Sequence, residues 1–315
     1  MKSKVAITGY SGFVGSELCE SLKAREIVCI GRKKPAFECD YIYSNFESME
    51  PLSDSLKEVE VVIHCAARVH IINDASSDED KLMQFRKINR DFTVHFAKQA
   101  ALAKVKRFIF ISSIKVNGEE TNGDNAFRAN DPIAAADPYG ISKAEAEVEL
   151  FKLGKDTGME IVVLRPPLVY GKGVKANFSA LASLVAKGYP LPLAALSKNQ
   201  RSLVSVYNLV DLIKVCMNHE RAAGNVFLVS DDNDISTYAL VKLMATALNK
   251  KERLFYVPVS FFNFAGKLLG KQEQVSRLTG SLKIDISKTK KVLDWTPPVS
   301  LKTGFAKALK GSFND

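Results

Sequence analysis

Through the first half of the chain, short runs of β-branched and aliphatic residues alternate with longer stretches in which apolar residues return every three or four positions. The runs Val5 to Thr8, Ile27 to Ile30, Val61 to His64, Arg107 to Ser112 and Ile161 to Arg165 read as strands. Between the third and fourth, Leu82, Phe85, Ile88, Phe92, Phe96 and Ala100 recur at helical spacing and predict one long helix over residues 78 to 103. A further helix is expected to start near Tyr139, with Ala144, Val148 and Phe151 along one face. Strands alternating with amphipathic helices predict an α/β fold, a doubly wound parallel sheet covered on both faces.

After Arg165-Pro166-Pro167 the texture changes: Pro190, Pro192 and several glycines interrupt shorter elements, which marks a second, smaller lobe. Val204 to Val206 and Val226 to Val229 again read as buried strands, so the chain is expected to return to the main sheet before ending in the small lobe. The division expected is 1–168 plus about 203–230 for the larger domain and 169–202 plus 231–315 for the smaller. There is no internal repeat and no low-complexity tract.

The 315 residues, 46% hydrophobic and 25% charged, are ordinary for a soluble globular protein with a full core. Met1-Lys2-Ser3-Lys4 runs straight into Val5, and no apolar run approaches spanning length, so a cytoplasmic protein without membrane insertion is expected. The five cysteines (Cys19, Cys29, Cys39, Cys65, Cys216) are scattered and form no Cys-x-x-Cys pair, which argues against a disulfide framework or a zinc site. The four histidines (His64, His70, His95, His219) lack metal-ligand spacing too. No metal is expected. A net charge of +9 suits nucleic acid, an acidic membrane surface or a phosphorylated small molecule. The basic residues are nevertheless spread along the whole chain without a nucleic-acid motif, which reads as a solvated basic surface and no nucleic-acid partner.

Three segments carry chemistry. In Val5-Ala6-Ile7-Thr8-Gly9-Tyr10-Ser11-Gly12-Phe13-Val14-Gly15 a strand runs into a glycine-spaced turn and then a helix. Gly9 permits the tight turn, Gly12 lets backbone amides approach a pyrophosphate and Gly15 allows close helix packing, with the helix dipole favouring the anion. The spacing is one residue wider than the standard dinucleotide fingerprint. After the second strand, where an NAD site places an acidic residue for the ribose hydroxyls, stand Gly31-Arg32-Lys33-Lys34. Arg32 and Lys33 favour the extra phosphate of NADP, so NADP(H) is the expected cofactor, with NAD(H) possible; an exposed basic turn is the plainer alternative. Tyr139 lies one turn before Lys143 on the same helix face, where an ammonium stabilises a phenolate, and Ser113 at the end of a strand offers a hydroxyl to a substrate oxygen. Tyr-x-x-x-Lys alone occurs by chance in many helices; the glycine loop gives it meaning.

Together these segments resemble the extended short-chain dehydrogenase/reductase superfamily, in its nucleotide-sugar epimerase, dehydratase and reductase branch, over essentially the whole chain. Val62-Ile63-His64-Cys65-Ala66-Ala67, Asn89, Ile111-Ser112-Ser113-Ile114-Lys115-Val116-Asn117-Gly118 and Arg165-Pro166-Pro167-Leu168-Val169-Tyr170-Gly171 look like the family's further motifs, in order. The resemblance implies a Rossmann fold with a smaller C-terminal substrate-binding lobe. It makes Tyr139 the acid/base, has Lys143 tune it and bind the nicotinamide ribose, and gives Ser113 the substrate oxygen. Ser11, Phe13, Val14, Asn45, Ala66, Ala67, Asn89 and Pro166 join Gly9, Gly12, Gly15, Arg32 and Lys33 on the cofactor. Arg68, Asn177, Leu193, Arg201 and Arg277 fall to a UDP-sugar: Asn177 at the diphosphate, Leu193 at the uracil, the two late arginines at phosphate oxygens. Packing or surface roles are the alternatives for each.

Dehydratases of this branch carry an Asp-Glu pair where Ile114 and Lys115 stand, so dehydration is not expected. The main expectation is 4-keto reduction of a UDP-linked 6-deoxy-N-acetylhexosulose in surface-polysaccharide synthesis. The alternatives are a UDP-glucose or UDP-N-acetylglucosamine 4-epimerase with retained NAD, and a non-catalytic NADP-binding sensor. Asn117 departs from the tyrosine many relatives carry. The helices near 78 to 103 and from Tyr139 resemble a dimer-forming pair, so a homodimer is expected, although a core role serves their apolar stripes equally well.

Overall fold

The computed structural model describes residues 4–22, 26–69, 77–174 and 177–310, leaving out the side chain of Glu273. Met1 to Ser3, His70, Lys175 and Ala176, which entered the sequence reading, lie outside the described residues. In chain order the larger part is built from β1 (Lys4–Thr8), α1 (Phe13–Ser21), β2 (Ile27–Gly31), β3 (Asp40–Tyr43), β4 (Val59–His64), α2 (Asp78–Arg86), α3 (Thr93–Leu102), β5 (Arg107–Ile111), α4 (Pro138–Thr157) and β6 (Glu160–Arg165). Then follow β7 (Leu168–Tyr170), α5 (Asn177–Ala186), β8 (Leu203–Ser205), α6 (Val206–Asn218), β9 (Asn225–Leu228), α7 (Thr237–Ala247), α8 (Val259–Leu268), α9 (Gln272–Thr279), α10 (Ser287–Leu293) and α11 (Leu301–Leu309).

Seven parallel strands form one sheet in the order β3-β2-β1-β4-β5-β6-β9. The expected doubly wound sheet is therefore present. Its strands are apolar on both sides because each face is covered: Val5, Ile7, Ile63, Ile109 and Leu164 pack toward α1 and α6, whereas Ala6, Val62, Phe96, Phe108 and Phe110 belong to the cluster under α3 and α4. The order reverses direction between β1 and β4, which opens a crevice beyond their carboxyl ends where such folds bind ligands.

Four features differ from the sequence reading. The edge strand β3 went unrecognised because its polar, half-exposed Asp40-Tyr41-Ile42-Tyr43 has no apolar run. The segment near Val204 does not return to the main sheet: Leu203–Ser205 pairs with β7 in a separate two-stranded sheet, and Val206 already begins α6. Only Asn225–Leu228 returns, at the edge beside β6. The helix expected over 78 to 103 is continuous but passes through a π-helical turn at Lys87–Phe92, a geometry common at functional sites. On α4 the buried face is Gly140, Lys143, Ala144, Glu147 and Leu150, and Val148 points to solvent.

A third hydrophobic cluster gathers Tyr170, Phe178, Leu191, Leu193, Leu203, Met244, Leu301 and Phe305 from β7, β8, α5, α7, α11 and the loops between. Tyr170 anchors this cluster, its hydroxyl donating to Asp231 Oδ2 at 2.6 Å while its ring packs on Phe305 at 4.6 Å.

At the centre of the crevice the β1 turn presses on the end of β4. Gly9 adopts φ +70°, and a Cβ on it would stand 2.6 Å from the Ala66 nitrogen. Replacing Gly9 with Ala combines a left-handed conformation with overpacking, and the cofactor-free protein should lose about 2–4 kcal/mol, read from urea unfolding.

Candidate active site

The cofactor side starts from the glycine turn. Gly12 donates its amide to the Gly9 carbonyl at 2.9 Å and stands as the N-cap of α1 without a side-chain cap. A Cβ on Gly15 would approach the Gly9 oxygen to 2.2 Å, so α1 sits directly on the turn. Ser11, Phe13 and Val14 lie in this turn and the first turn of α1. The free backbone donors of a helix start beside glycines with no room for side chains fit a pyrophosphate.

Ala66 and Ala67 follow β4 and are fixed from below. The Thr8 Oγ1 accepts the Ala66 amide at 3.3 Å and lies 2.8 Å from His64 Nδ1, and His64 Nε2 is 3.0 Å from Thr93 Oγ1. Burial pulls the His64 imidazole down to about 3, with the nearby Lys143 ammonium adding to the effect, so the ring stays neutral. Asn89, placed by the π turn, holds the next residues: its Oδ1 accepts the Arg68 amide at 2.8 Å, and its Nδ2 donates to the Arg68 carbonyl at 3.0 Å and to Ser142 Oγ at 3.1 Å. Ser142 in turn donates to the Tyr139 carbonyl at 2.7 Å. One asparagine thus links the cofactor strand to α4.

Arg32 and Lys33 are exposed beyond β2, beside Asn45 beyond β3. Glu47 lies there too, its carboxyl held below the usual range by Lys87 at 3.2 Å and by Arg68 and Arg32. The Arg68 guanidinium is 3.3 Å from Glu47. At this edge Arg68 is therefore engaged by a carboxylate.

Tyr139 and Lys143 occupy the first turns of α4, and Ser113 follows β5 at the same end of the sheet. Asp137 caps α4 by accepting the Gly140 amide at 3.0 Å, and Pro138 starts the helix with its fixed φ. Lys115 Nζ joins the two elements, 2.8 Å from Asp137 and 2.7 Å from Glu119. Ser113 is further fixed by the Pro166 carbonyl, which accepts the Ile114 amide at 2.9 Å. The Tyr139 ring meets Phe85 edge to face at 5.7 Å.

The electrostatics differ from the simple picture of an ammonium lowering a phenol. Burial pushes the Tyr139 hydroxyl above its ordinary value, and the Asp137 carboxylate adds to the rise. Lys143 is itself buried and pulled down to about 7; Cys65 and Glu147 oppose the shift. Its Nζ donates to the Ile111 carbonyl at 2.9 Å and lies 4.3 Å from the Phe110 ring centre, which turns it toward the sheet. Desolvation is the largest influence on both groups, each pushed toward its neutral form.

Beneath them runs a network that sequence reading missed. Arg165 donates to Glu147 at 3.0 Å and to Asn117 Oδ1 at 2.9 Å, Ser112 donates to Glu147, and Asn117 Nδ2 donates to the Arg128 carbonyl at 2.9 Å. Asn117, the departure from the tyrosine of many relatives, is here buried and satisfied. The Asp-Pro pair before Tyr139 was a readable capping signal; the Glu147 to Arg165 pairing, across 18 residues, had none.

The substrate candidates divide. Arg201 Nη1 donates to the Gly280 carbonyl at 3.2 Å, and its guanidinium is pulled down chiefly by burial and also by repulsion from Arg277. Two mutually repelling guanidinium groups suit a diphosphate. Leu193 is buried in the small-lobe core, and Asn177 is exposed at the start of α5. Among the described residues no group of three His, Cys, Asp or Glu side chains is arranged to hold a metal, and no helix is long and apolar enough to cross a membrane.

Residues 5–230 match the model of the NAD dependent epimerase/dehydratase family. The chain is 46% identical over 310 residues to UDP-glucose 4-epimerase of Vibrio cholerae, covering 97% of this chain and 94% of that protein. The fold is similar to the crystal structure of UDP-glucose 4-epimerase from Thermotoga maritima with UDP-glucose (TM-score 0.77, 19% identity, 98% of this chain and 97% of that one). It is equally similar to UDP-glucuronic acid 4-epimerase from Bacillus cereus in complex with NAD (TM-score 0.77, 20% identity, 98% and 97%).

The Lys143 shift has a consequence for stability. With about 7 in the folded chain against 10.5 ordinarily, the unfolded chain holds the extra proton across that window, so this group makes stability rise with pH from about 7 upward. Urea unfolding of the cofactor-free protein between pH 7 and the onset of tyrosine ionisation should show that rise, and the Lys143→Met variant should show less of it.

Proposed function

This chain belongs to the NAD dependent epimerase/dehydratase family, and from that premise we propose that it inverts carbon four of a UDP-linked hexose, with UDP-glucose and UDP-N-acetylglucosamine as candidate substrates and NAD retained throughout. The observation that carries this reading is the 46% identity to UDP-glucose 4-epimerase of Vibrio cholerae over 97% of the chain. It favours the epimerase over the 4-keto reductase that the sequence motifs first led us to expect.

In this reading the residues of the chain handle position and protons. The amides of the Gly9 to Gly15 turn, with Ala66, Ala67 and Pro166 alongside, hold the dinucleotide. Arg201 and Arg277 take the diphosphate, and Ser113 holds the sugar hydroxyl oxygen. Tyr139 withdraws the hydroxyl proton and restores it after the carbon has inverted, a task within the reach of a buried phenol once a cation stabilises its ionised form. Lys143, one turn away with an ammonium already partly desolvated, is that cation. NAD, when bound, supplies the hydride acceptor and donor.

NAD is preferred to NADP in this reading, in keeping with the similar fold of UDP-glucuronic acid 4-epimerase from Bacillus cereus, whose crystal structure is in complex with NAD. A homodimer through α2, α3 and α4 is part of the same reading, in keeping with the exposed Met83 and Val148 on those helices; sedimentation velocity should give a dimer, and a monomer at working concentration removes that claim.

The decisive experiment releases the nucleotide from freshly purified protein and follows UDP-glucose and UDP-N-acetylglucosamine by NMR without added cofactor. Released NAD and formation of the 4-epimer support the proposal; a requirement for stoichiometric NADPH returns the reductase. Tyr139→Phe should lower turnover roughly 10²–10⁴-fold while nucleotide binding persists. Full physiological activity in that variant would point to a sensor.

A further inference from the structure

The small lobe carries an apolar surface that its own core does not use. Among the described residues 17 large hydrophobic side chains are exposed, and seven of them, Phe255, Tyr256, Val259, Phe261, Phe264, Leu268 and Leu269, fall in one short stretch on and around α8. Exposed apolar residues scattered singly need no explanation, but a contiguous group does. Phe261, Phe264 and Leu268 follow helical spacing and so form one outward stripe; Tyr256, Phe264 and Leu268 are 71%, 67% and 76% exposed.

This stripe is held in place rather than frayed. The segment before the helix pairs with the small-lobe loop: the Arg253 carbonyl accepts the Leu191 amide at 2.8 Å, and the Phe255 amide donates to the Leu191 carbonyl at 3.0 Å. On its inner side, Phe262 packs on the small-lobe core, and Gly266 admits the Val275 side chain of α9 where a Cβ would stand 2.7 Å away. The helix is thus anchored by one face and offers the other.

The charge around the stripe identifies what it fits. Along the chain on either side of the stripe stand Lys250, Lys251, Arg253, Lys267 and Lys271 against two acids, Glu273 and Glu252, the latter facing Lys242 at 3.5 Å. Ser260, Asn263 and Lys267 form the polar strip next to the aromatic one, the pattern of a helix lying in a membrane interface with its cations toward lipid headgroups. A two-fold contact between copies would instead bring these like-charged flanks together.

We propose that α8 docks the small lobe onto an anionic phospholipid surface, inserting Phe261, Phe264 and Leu268 at the level of the headgroups without spanning the bilayer. The adjoining α9, packed on the inner side of α8, carries Arg277.

The test is flotation of the full-length protein with vesicles of phosphatidylcholine alone and of phosphatidylcholine with phosphatidylglycerol. The wild-type protein should float with the anionic vesicles, and added salt should release it. The double substitution Phe261→Ser with Phe264→Ser should weaken partitioning roughly a hundredfold, and Lys267→Glu with Lys271→Glu should abolish the anionic preference. Both variants should keep the wild-type unfolding midpoint, since the altered side chains are exposed. Absence of flotation with anionic vesicles, or flotation unchanged in the serine variant, overturns the proposal. So does a sedimenting dimer that the serine variant splits while the wild type ignores vesicles, which would assign the stripe to a second copy. None of these readouts depends on the sugar or the cofactor.

Discussion

The structure depends on how closely the turn after β1 can approach the end of β4. Gly9 lies against the backbone of Cys65 and Ala66, and Gly15 brings α1 down onto the same turn, leaving no space for a methyl group at either position. That contact puts a helix start, with its unsatisfied amides, at the point where the sheet reverses its strand order. The pairs beneath it, Thr8 with His64 and His64 with Thr93, keep the two strand ends in register in a site too dry for the imidazole to charge.

A second constraint aligns α4 with the sheet. Asn89 reaches from the π turn to both the Arg68 backbone and Ser142, and Lys115 ties the Ser113 segment to the Asp137 cap of α4. Deeper, Glu147 and Arg165 form a nearly dry ion pair extended by Ser112 and Asn117. Leaving either charge alone there would be costly, so the pair works as a geometric lock more than as a source of net stability. Lys115 faces two carboxylates, Asp137 and Glu119, and so serves as support between the two segments.

Desolvation governs the titrating groups of the site. It raises the Tyr139 phenol and lowers the Lys143 ammonium, each away from the charged form that the proposed proton transfer needs. Ionic forms become favourable only when another charge or dipole enters the site with them. The crevice gathers buried ionisable groups, whereas α8 leaves Phe261 and Phe264 in water.

What the sequence by itself determined was whatever depends on neighbours along the chain. Strand runs, the long helix, the glycine turn and the Tyr139 to Lys143 spacing were legible because periodicity and turn chemistry are local, and family membership follows from the same local motifs. The tertiary structure decided the rest. The pairing of Leu203–Ser205 with β7 was invisible because a buried strand reads the same whichever sheet takes it. The pairing of Arg68 with Glu47, the absorption of Asn117 by Arg165 and the burial that shifts Tyr139 all depend on groups brought together by packing rather than by neighbours in sequence. Hydrophobic pattern fixes which residues go inside, but only packing decides which charges meet there, and in a medium of low dielectric that meeting sets the chemistry.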